Sequence, residues 1–287
     1  MKKSVRILSV VLALVIVIGC FAACGGNKEE TKVTAKVINI ELTEEQYAFG
    51  VDKNQPELLK KTNEFIAEIK ANGKLDEIFN NYFGDGTPNL ITSAELDTKS
   101  DNQLVVATNA AFPPFEYTEG DKYLGVDMEI AALLAEYLGK ELVIMHMAFD
   151  SVCISVNQGT CDIAMAGLSV TEDRKEIVNF SDSYYQASQK IIVRSDDTTF
   201  DNCKTSEDVL KLLQNMDKDV KVGFQTGTTG QAYVECTGDY EDNALKVKST
   251  GYNNGVMAVQ DMINGNLNYV VIDAAPADSI VSSINNV

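Results

Sequence analysis

The sequence has no tryptophan and a single histidine, His146. One histidine cannot complete a Cys/His zinc set. The cysteines beyond the N-terminal region, Cys153, Cys161, Cys203 and Cys236, lack the CxxC spacing of a metal site. No metal and no other cofactor is expected. His146 alternates with apolar residues in the run Leu142–Met147 and reads as a structural strand residue. No nucleophile, base and orienting partner can be assembled, which argues against an enzyme. Positive charge is also scarce: 24 Lys and Arg stand against 42 Asp and Glu, for a net charge of −18. With no basic cluster, nucleic acid is excluded as a partner, and the acidic excess reads as a solvated face.

Long apolar runs are nearly absent too. The longest, Ile7–Ile18, is too short for a transmembrane span. It follows Lys2, Lys3 and Arg6 and precedes small residues and two cysteines, the arrangement of a signal peptide over residues 1–24. Small residues directly before a cysteine resemble a lipobox. Cys24, followed by Gly25 and Gly26, is the expected lipid-attachment residue, with Cys20 as the rival. The mature protein is then exported and lipid-anchored to the cell membrane. Loss of the three leader cations takes the net charge from −18 to −21. Export permits disulfides among the four remaining cysteines, but their pairing stays open.

What is present is an alternation of strands and helices. Residues 25–32 are a polar tether, and Pro56–Phe83 carries two amphipathic helices separated by Asn72–Gly73. Gly84–Gln103 lacks periodicity and reads as a linker. Strands are expected at Val37–Leu42, Leu104–Thr108, Leu142–Met147, Asp162–Ala166, Lys190–Val193, Val220–Phe224, Leu245–Lys248 and Tyr269–Ile272. Helices are expected near 128–138, 151–158, 206–214, 255–263 and 277–284. This predicts an α/β protein with buried parallel strands, whose ligands bind beyond the strands' carboxyl ends.

Four loops occupy such ends. They are Asn109–Ala110–Ala111–Phe112–Pro113–Pro114–Phe115–Glu116–Tyr117, Gly167–Leu168–Ser169–Val170–Thr171–Glu172–Asp173–Arg174, Gln225–Thr226–Gly227–Thr228–Thr229–Gly230 and Asp273–Ala274–Ala275–Pro276. In these motifs, and over nearly all the chain after the tether, the sequence resembles the extracellular solute-binding proteins of polar amino acid ABC transporters. The resemblance implies a two-lobed periplasmic-binding-protein-like fold of type II. In that fold two crossing strands join the lobes, which close on a free amino acid and deliver it to an ABC permease.

A zwitterionic ligand accounts for the residue types. An α-carboxylate is matched by the planar donor fork of arginine. Arg174 stands at the family's carboxylate-binding position, with the backbone N–H groups of Ser169 and of Thr228 or Thr229 as helpers. Asp273 matches the partner of the α-ammonium, assisted by the Gly167 carbonyl and the Ser169 hydroxyl. Phe112 and Phe149 match the pair that sandwiches the ligand side chain, and Phe115 is assigned to the core. Asn109 and Gln225 would face the side chain's end. Both are neutral, which favours a neutral polar ligand such as glutamine, unless a carboxylate such as Glu116 also lines the pocket.

One feature departs from the family order. The stretch resembling the family's closing segment, Leu42–Phe83, precedes the strand that ordinarily opens the mature protein, Leu104–Thr108. This predicts a circular permutation with Gly84–Gln103 as the new linker. One lobe would span residues 47–193, and the other would combine residues 33–46 with 194–287. The alternative is a chain whose leading segment pairs with a second molecule.

Overall fold

The computed structural model describes residues 33–286. The expected signal peptide, tether and lipid-attachment cysteine lie outside them. In chain order the protein begins with three short strands: β1 (Ala35–Ile38), β2 (Glu45–Tyr47) and β3 (Gly50–Val51). Helix α1 (Pro56–Ala71) starts at a proline, whose fixed φ and missing N–H suit a first helical position, and buries Phe65, Ile66 and Ile69 on one face. Gly73, at φ +78°, turns the chain into α2 (Lys74–Phe83).

The first large sheet gains β4 (Gln103–Thr108), a hairpin follows as β5 (Tyr117–Glu119) and β6 (Lys122–Leu124), and then come α3 (Val126–Tyr137) and β7 (Glu141–His146). After α4 (Val152–Asn157) come β8 (Ile163–Ala164), α5 (Glu172–Ile177) and β9 (Asn179–Phe180). The order in this sheet is β7-β4-β8-β3-β9. Strand β10 (Tyr185–Ala187) pairs only with β2, and these two form the crossing pair between lobes.

The second lobe contains β11 (Gln189–Arg194), α6 (Ser206–Gln214), β12 (Lys221–Gln225), α7 (Thr229–Glu235), β13 (Lys248–Tyr252), α8 (Gly255–Ile263), β14 (Tyr269–Asp273) and α9 (Ala274–Asn285). Its sheet runs β1-β11-β14-β12-β13. A strand from the front of the described chain therefore completes a sheet otherwise built from its last third.

Three expectations need correction. The residues 190–193, assigned to the first lobe, belong to β11, which pairs with β14 and β1 in the second sheet. That lobe boundary falls before Gln189. The strand expected at Leu245–Lys248 starts only at Lys248. Leu245 and Val247 are apolar because they pack from a loop onto the core around Phe224 and Tyr233. The sheets are also mixed rather than parallel: β4 with β7 and β8, and β12 with β13 and β14, are parallel, but β1, β3 and β11 run antiparallel to their neighbours.

The segment 84–102, expected as a linker, is an ordered strap. Ile91 bridges Tyr123, the Ala94 N–H donates to the Leu142 carbonyl (2.9 Å), and the Ile144 N–H donates to Ser93 Oγ (2.9 Å). Buried Glu129 on α3 holds its start. This carboxylate accepts from the Asn89 N–H (2.8 Å), Asn89 Nδ2 (2.9 Å) and the Tyr82 hydroxyl (2.8 Å).

Candidate functional site

The loops that follow β4, β8, β12 and β14 converge between the lobes. There Phe112, Phe149, Gly167, Ser169, Arg174, Gln225, Thr228, Thr229 and Asp273 line a cavity of about 220 Å³. Asn109 is buried beside it and accepts from Gln225 Nε2 (3.0 Å). Every candidate residue from the sequence except Cys24 is thus gathered at one place. The lobes touch across it.

Local geometry explains how each group is held. Thr171 caps α5 by accepting from the Arg174 N–H (3.3 Å), so the arginine leaves the first turn of that helix towards the cleft. Its Nη1 donates to the Ser169 carbonyl (2.7 Å), and its Nη2 reaches the other lobe to donate to the Gly227 carbonyl (3.0 Å). The guanidinium lies 5.2 Å from the centroid of Phe149, a cation–π distance. Burial lowers its pKa, as expected for a cation withdrawn from water.

Asp273 occupies the N-cap position of α9, yet its side chain makes no capping bond. It accepts instead from the buried Tyr47 hydroxyl on β2 (2.5 Å). Burial, and next the nearby charge of Glu45, push its carboxyl up to about 7.

Gly167 has φ +53°, and a Cβ there would lie 2.9 Å from Phe112, so both backbone and space demand glycine. Its N–H donates to Asp127 Oδ2 (2.8 Å). Thr228 spends its hydroxyl as the N-cap of α7, accepting from the Gln231 N–H and donating to the Gln225 carbonyl (2.7 Å). Asn109 Nδ2 donates to the Met147 carbonyl (2.6 Å). His146 has the structural role expected, because its Nδ1 accepts from the Ala110 N–H (3.0 Å) and steadies the Asn109 loop. Phe115 is core, fully buried against Tyr47 and Tyr185.

Sequence reasoning missed the groups behind the cavity. Glu45 and Tyr47 lie on β2, which the 167–170 loop joins through backbone bonds. Alternation along the strand puts both residues on one face, the only signal available in the sequence. Asp127 accepts from the Gly167 N–H and the Tyr184 hydroxyl, and burial raises it to about 7. Glu116, by contrast the carboxylate the sequence offers for the side-chain end of the pocket, is fully buried with neither carboxylate oxygen hydrogen-bonded. Burial, then the charges of Asp127 and Asp273, push it well above the carboxylate range. Glu116 is not among the residues that line the cavity.

Among the described residues no cluster of His, Cys, Asp and Glu is arranged to hold a metal ion, and no helix is long and apolar enough to cross a membrane. Cys153, Cys161, Cys203 and Cys236 are unpaired thiols.

Two α/β lobes joined by a crossing strand pair, with a polar cavity between them, define a two-lobed binding-protein fold. The family model for bacterial extracellular solute-binding proteins, family 3, matches residues 4–85 and 104–265, most of the sequence, and the chain belongs to that family. It is similar to the arginine-binding extracellular protein ArtP of Bacillus subtilis (strain 168), with 37% identity over 94 residues. That alignment covers 33% of this chain and 37% of the relative, so the chain spans well under two thirds of its length. Among solved structures it is similar to the Gly52Ala mutant of arginine-bound ArgBP from T. maritima (32% identity, TM-score 0.55, 64% of this chain and 79% of that one). It is also similar to an ancestral arginine-binding protein bound to glutamine, at 32% identity and TM-score 0.55, over 65% of this chain and 76% of that one.

Proposed function

We propose that the protein captures a free amino acid between its lobes outside the cytoplasm and passes it to an ABC permease. The observation that carries this reading is the pairing of Arg174 and Asp273 across one small cavity, an anion partner on one lobe and a cation partner on the other. Arg174 now bonds two backbone carbonyls, and a carboxylate would be a stronger acceptor for the same fork. The lobes would open without ligand and close on it, the closed form being the one a permease recognises.

At the side-chain end, Asn109 and Gln225 are neutral, and buried Gln225 Oε1 has no hydrogen-bond partner. An N–H donor belongs there, which favours a neutral amide such as glutamine. Arginine is the second reading, because its guanidinium is also a multiple N–H donor and ArtP and ArgBP carry arginine in their names. Calorimetric competition decides between the two: tighter glutamine binding supports the first, tighter arginine binding the second. Failure of all twenty amino acids to raise the melting temperature would refute amino-acid capture itself.

Two further parts of the reading concern the ends of the fold. Cys24 is proposed as the lipid-attachment residue that holds the protein at the membrane. Radiolabelled palmitate should be incorporated and then lost in Cys24→Ser; retention would favour Cys20. The arrangement of β1 beside β11 and of the strap before β4 supports a circular permutation of the family fold. Its lobes would be residues 47–188, and 33–46 with 189–287.

A further inference from the structure

Glu45 sits on the crossing strand β2, buried, with its carboxylate reaching into the space where both lobes meet. Oε1 accepts from the Thr43 hydroxyl (2.7 Å), with the Tyr240 hydroxyl at 3.4 Å. Oε2 accepts from the Ser169 hydroxyl of the first lobe (2.6 Å) and the Thr229 hydroxyl of the second (2.8 Å). The directions of these bonds can be worked out. The Gln189 N–H can only donate, and it donates to Thr43 Oγ1 (2.9 Å), so the one proton of that hydroxyl is free to go to Glu45 Oε1. Thr229 Oγ1 likewise accepts from Gln189 Nε2 (3.0 Å) and gives its proton to Oε2. Both oxygens of the carboxylate are thus held as acceptors. Ser169 must therefore donate to it, and its hydroxyl has only lone pairs left to present.

We infer that Glu45 is a positioning residue that sets the polarity of the ammonium subsite: by taking the Ser169 proton, it turns that hydroxyl into an obligatory acceptor beside Asp273. This rests on the amino-acid reading above. The ligand class it selects is a primary ammonium in preference to the same acid without one.

Glu45→Leu tests this with the size kept. Thr43 and Thr229 each hold one side of the carboxylate as an acceptor, so the single oxygen of a glutamine could still face Ser169, whereas leucine removes the acceptor from both sides. With nothing to take it, the Ser169 proton turns towards the ligand's ammonium, setting donor against donor. Calorimetry should compare L-glutamine and L-arginine with their des-amino counterparts. Glu45→Leu should weaken the amino acid by at least about tenfold while changing the des-amino acid less than about threefold, the scale of one charge-assisted hydrogen bond. In a Ser169→Ala background, where there is no hydroxyl to orient, Glu45→Leu should add less than about twofold.

Equal loss for both ligand types, an unchanged amino-acid affinity, or full additivity with Ser169→Ala would each overturn the inference. Should Glu45→Leu not fold, Ser169→Ala alone still decides, since the inference requires it to lower the preference for the amino acid over the des-amino acid. Wild-type titration separates the two levels. If the wild type binds neither amino acid, the functional reading fails; if it binds one and the variants behave alike, only the role of Glu45 fails.

Discussion

With Asp273 as the proposed partner of the ligand's ammonium, capture is expected to be linked to a proton. Burial and then the charge of Glu45 push the Asp273 carboxyl up to about 7, so near neutrality it should be partly protonated before ligand binds. A bound ammonium needs the ionised form, and binding must expel that proton. The apparent dissociation constant then scales as one plus ten to the power of pKa minus pH. Affinity should improve about tenfold from pH 6 to pH 8 and fall a further tenfold or so at pH 5. A neutral amino acid remains zwitterionic throughout this window, so the effect belongs to the protein. Calorimetry in two buffers of different ionisation enthalpy would read about half a proton released per ligand at pH 7. Asp273→Asn should abolish the slope along with most of the affinity. Glu45→Gln should move the midpoint to lower pH, since it removes a charge that raises Asp273. Affinity that stays flat from pH 5.5 to 8.5, with no proton exchanged, would refute the reasoning.

Asp127 makes a related prediction for the ligand-free protein. Its folded pKa, about 7, lies above its unfolded value, so its contribution to stability is complete below about pH 4 and is lost as pH rises through 7. Urea denaturation without added ligand should show the protein losing on the order of 4 kcal/mol from this group over that window, and Asp127→Asn should flatten the profile. Arg174→Ala and Asp273→Ala should each cost about 2–5 kcal/mol of binding, because each leaves a ligand charge buried and unpaired. Calorimetry within about twofold of wild type would remove either from the site. Gly167→Ala should lower stability by about 1–3 kcal/mol, since it forces a side chain to positive φ against Phe112, and should weaken binding by displacing that ring. Joining residue 287 to Val33 through a short polar loop and opening the chain near Ser100 should leave folding and binding intact. Loss of both would argue against permutation.

The candidate site was legible because its residues stand in loop motifs that resemble the family's; taken alone, a phenylalanine reads as core, an arginine as a surface charge and an aspartate as a helix cap. Eight of the positions read from the four loops line the cavity with Phe149, which follows β7, and Asn109 backs it. Glu45 was hidden for the opposite reason. In Glu44–Glu45–Gln46 it reads as one more acid of an acidic protein, and only the crossing of β2 behind Ser169 gives it partners. The fold shows the same division. Helices such as 206–214 and 255–263 begin directly after good N-caps, Thr205 and Asn254. The lobe that owns β11 could not be read locally, because an apolar strand such as Lys190–Val193 fits either sheet, and its choice depends on pairing with Tyr269–Asp273 some eighty residues on. Leu245 and Val247 misled because loop residues that pack on a core look the same in sequence as strand residues.

The strap pinned by Glu129 has a consequence for aggregation. Strand β7 is the outer strand of its sheet, and an outer strand offers unpaired N–H and C=O groups to any neighbouring chain. Ser93 and Ala94 occupy two of those groups, at Ile144 and Leu142, so the segment that carries the chain from α2 to β4 also shields the edge it passes. A cut near Ser100 leaves this guard attached to α2 with its anchor at Asn89. A chain in which residues 89–94 are deleted would keep its binding site and expose the edge, and it would self-associate.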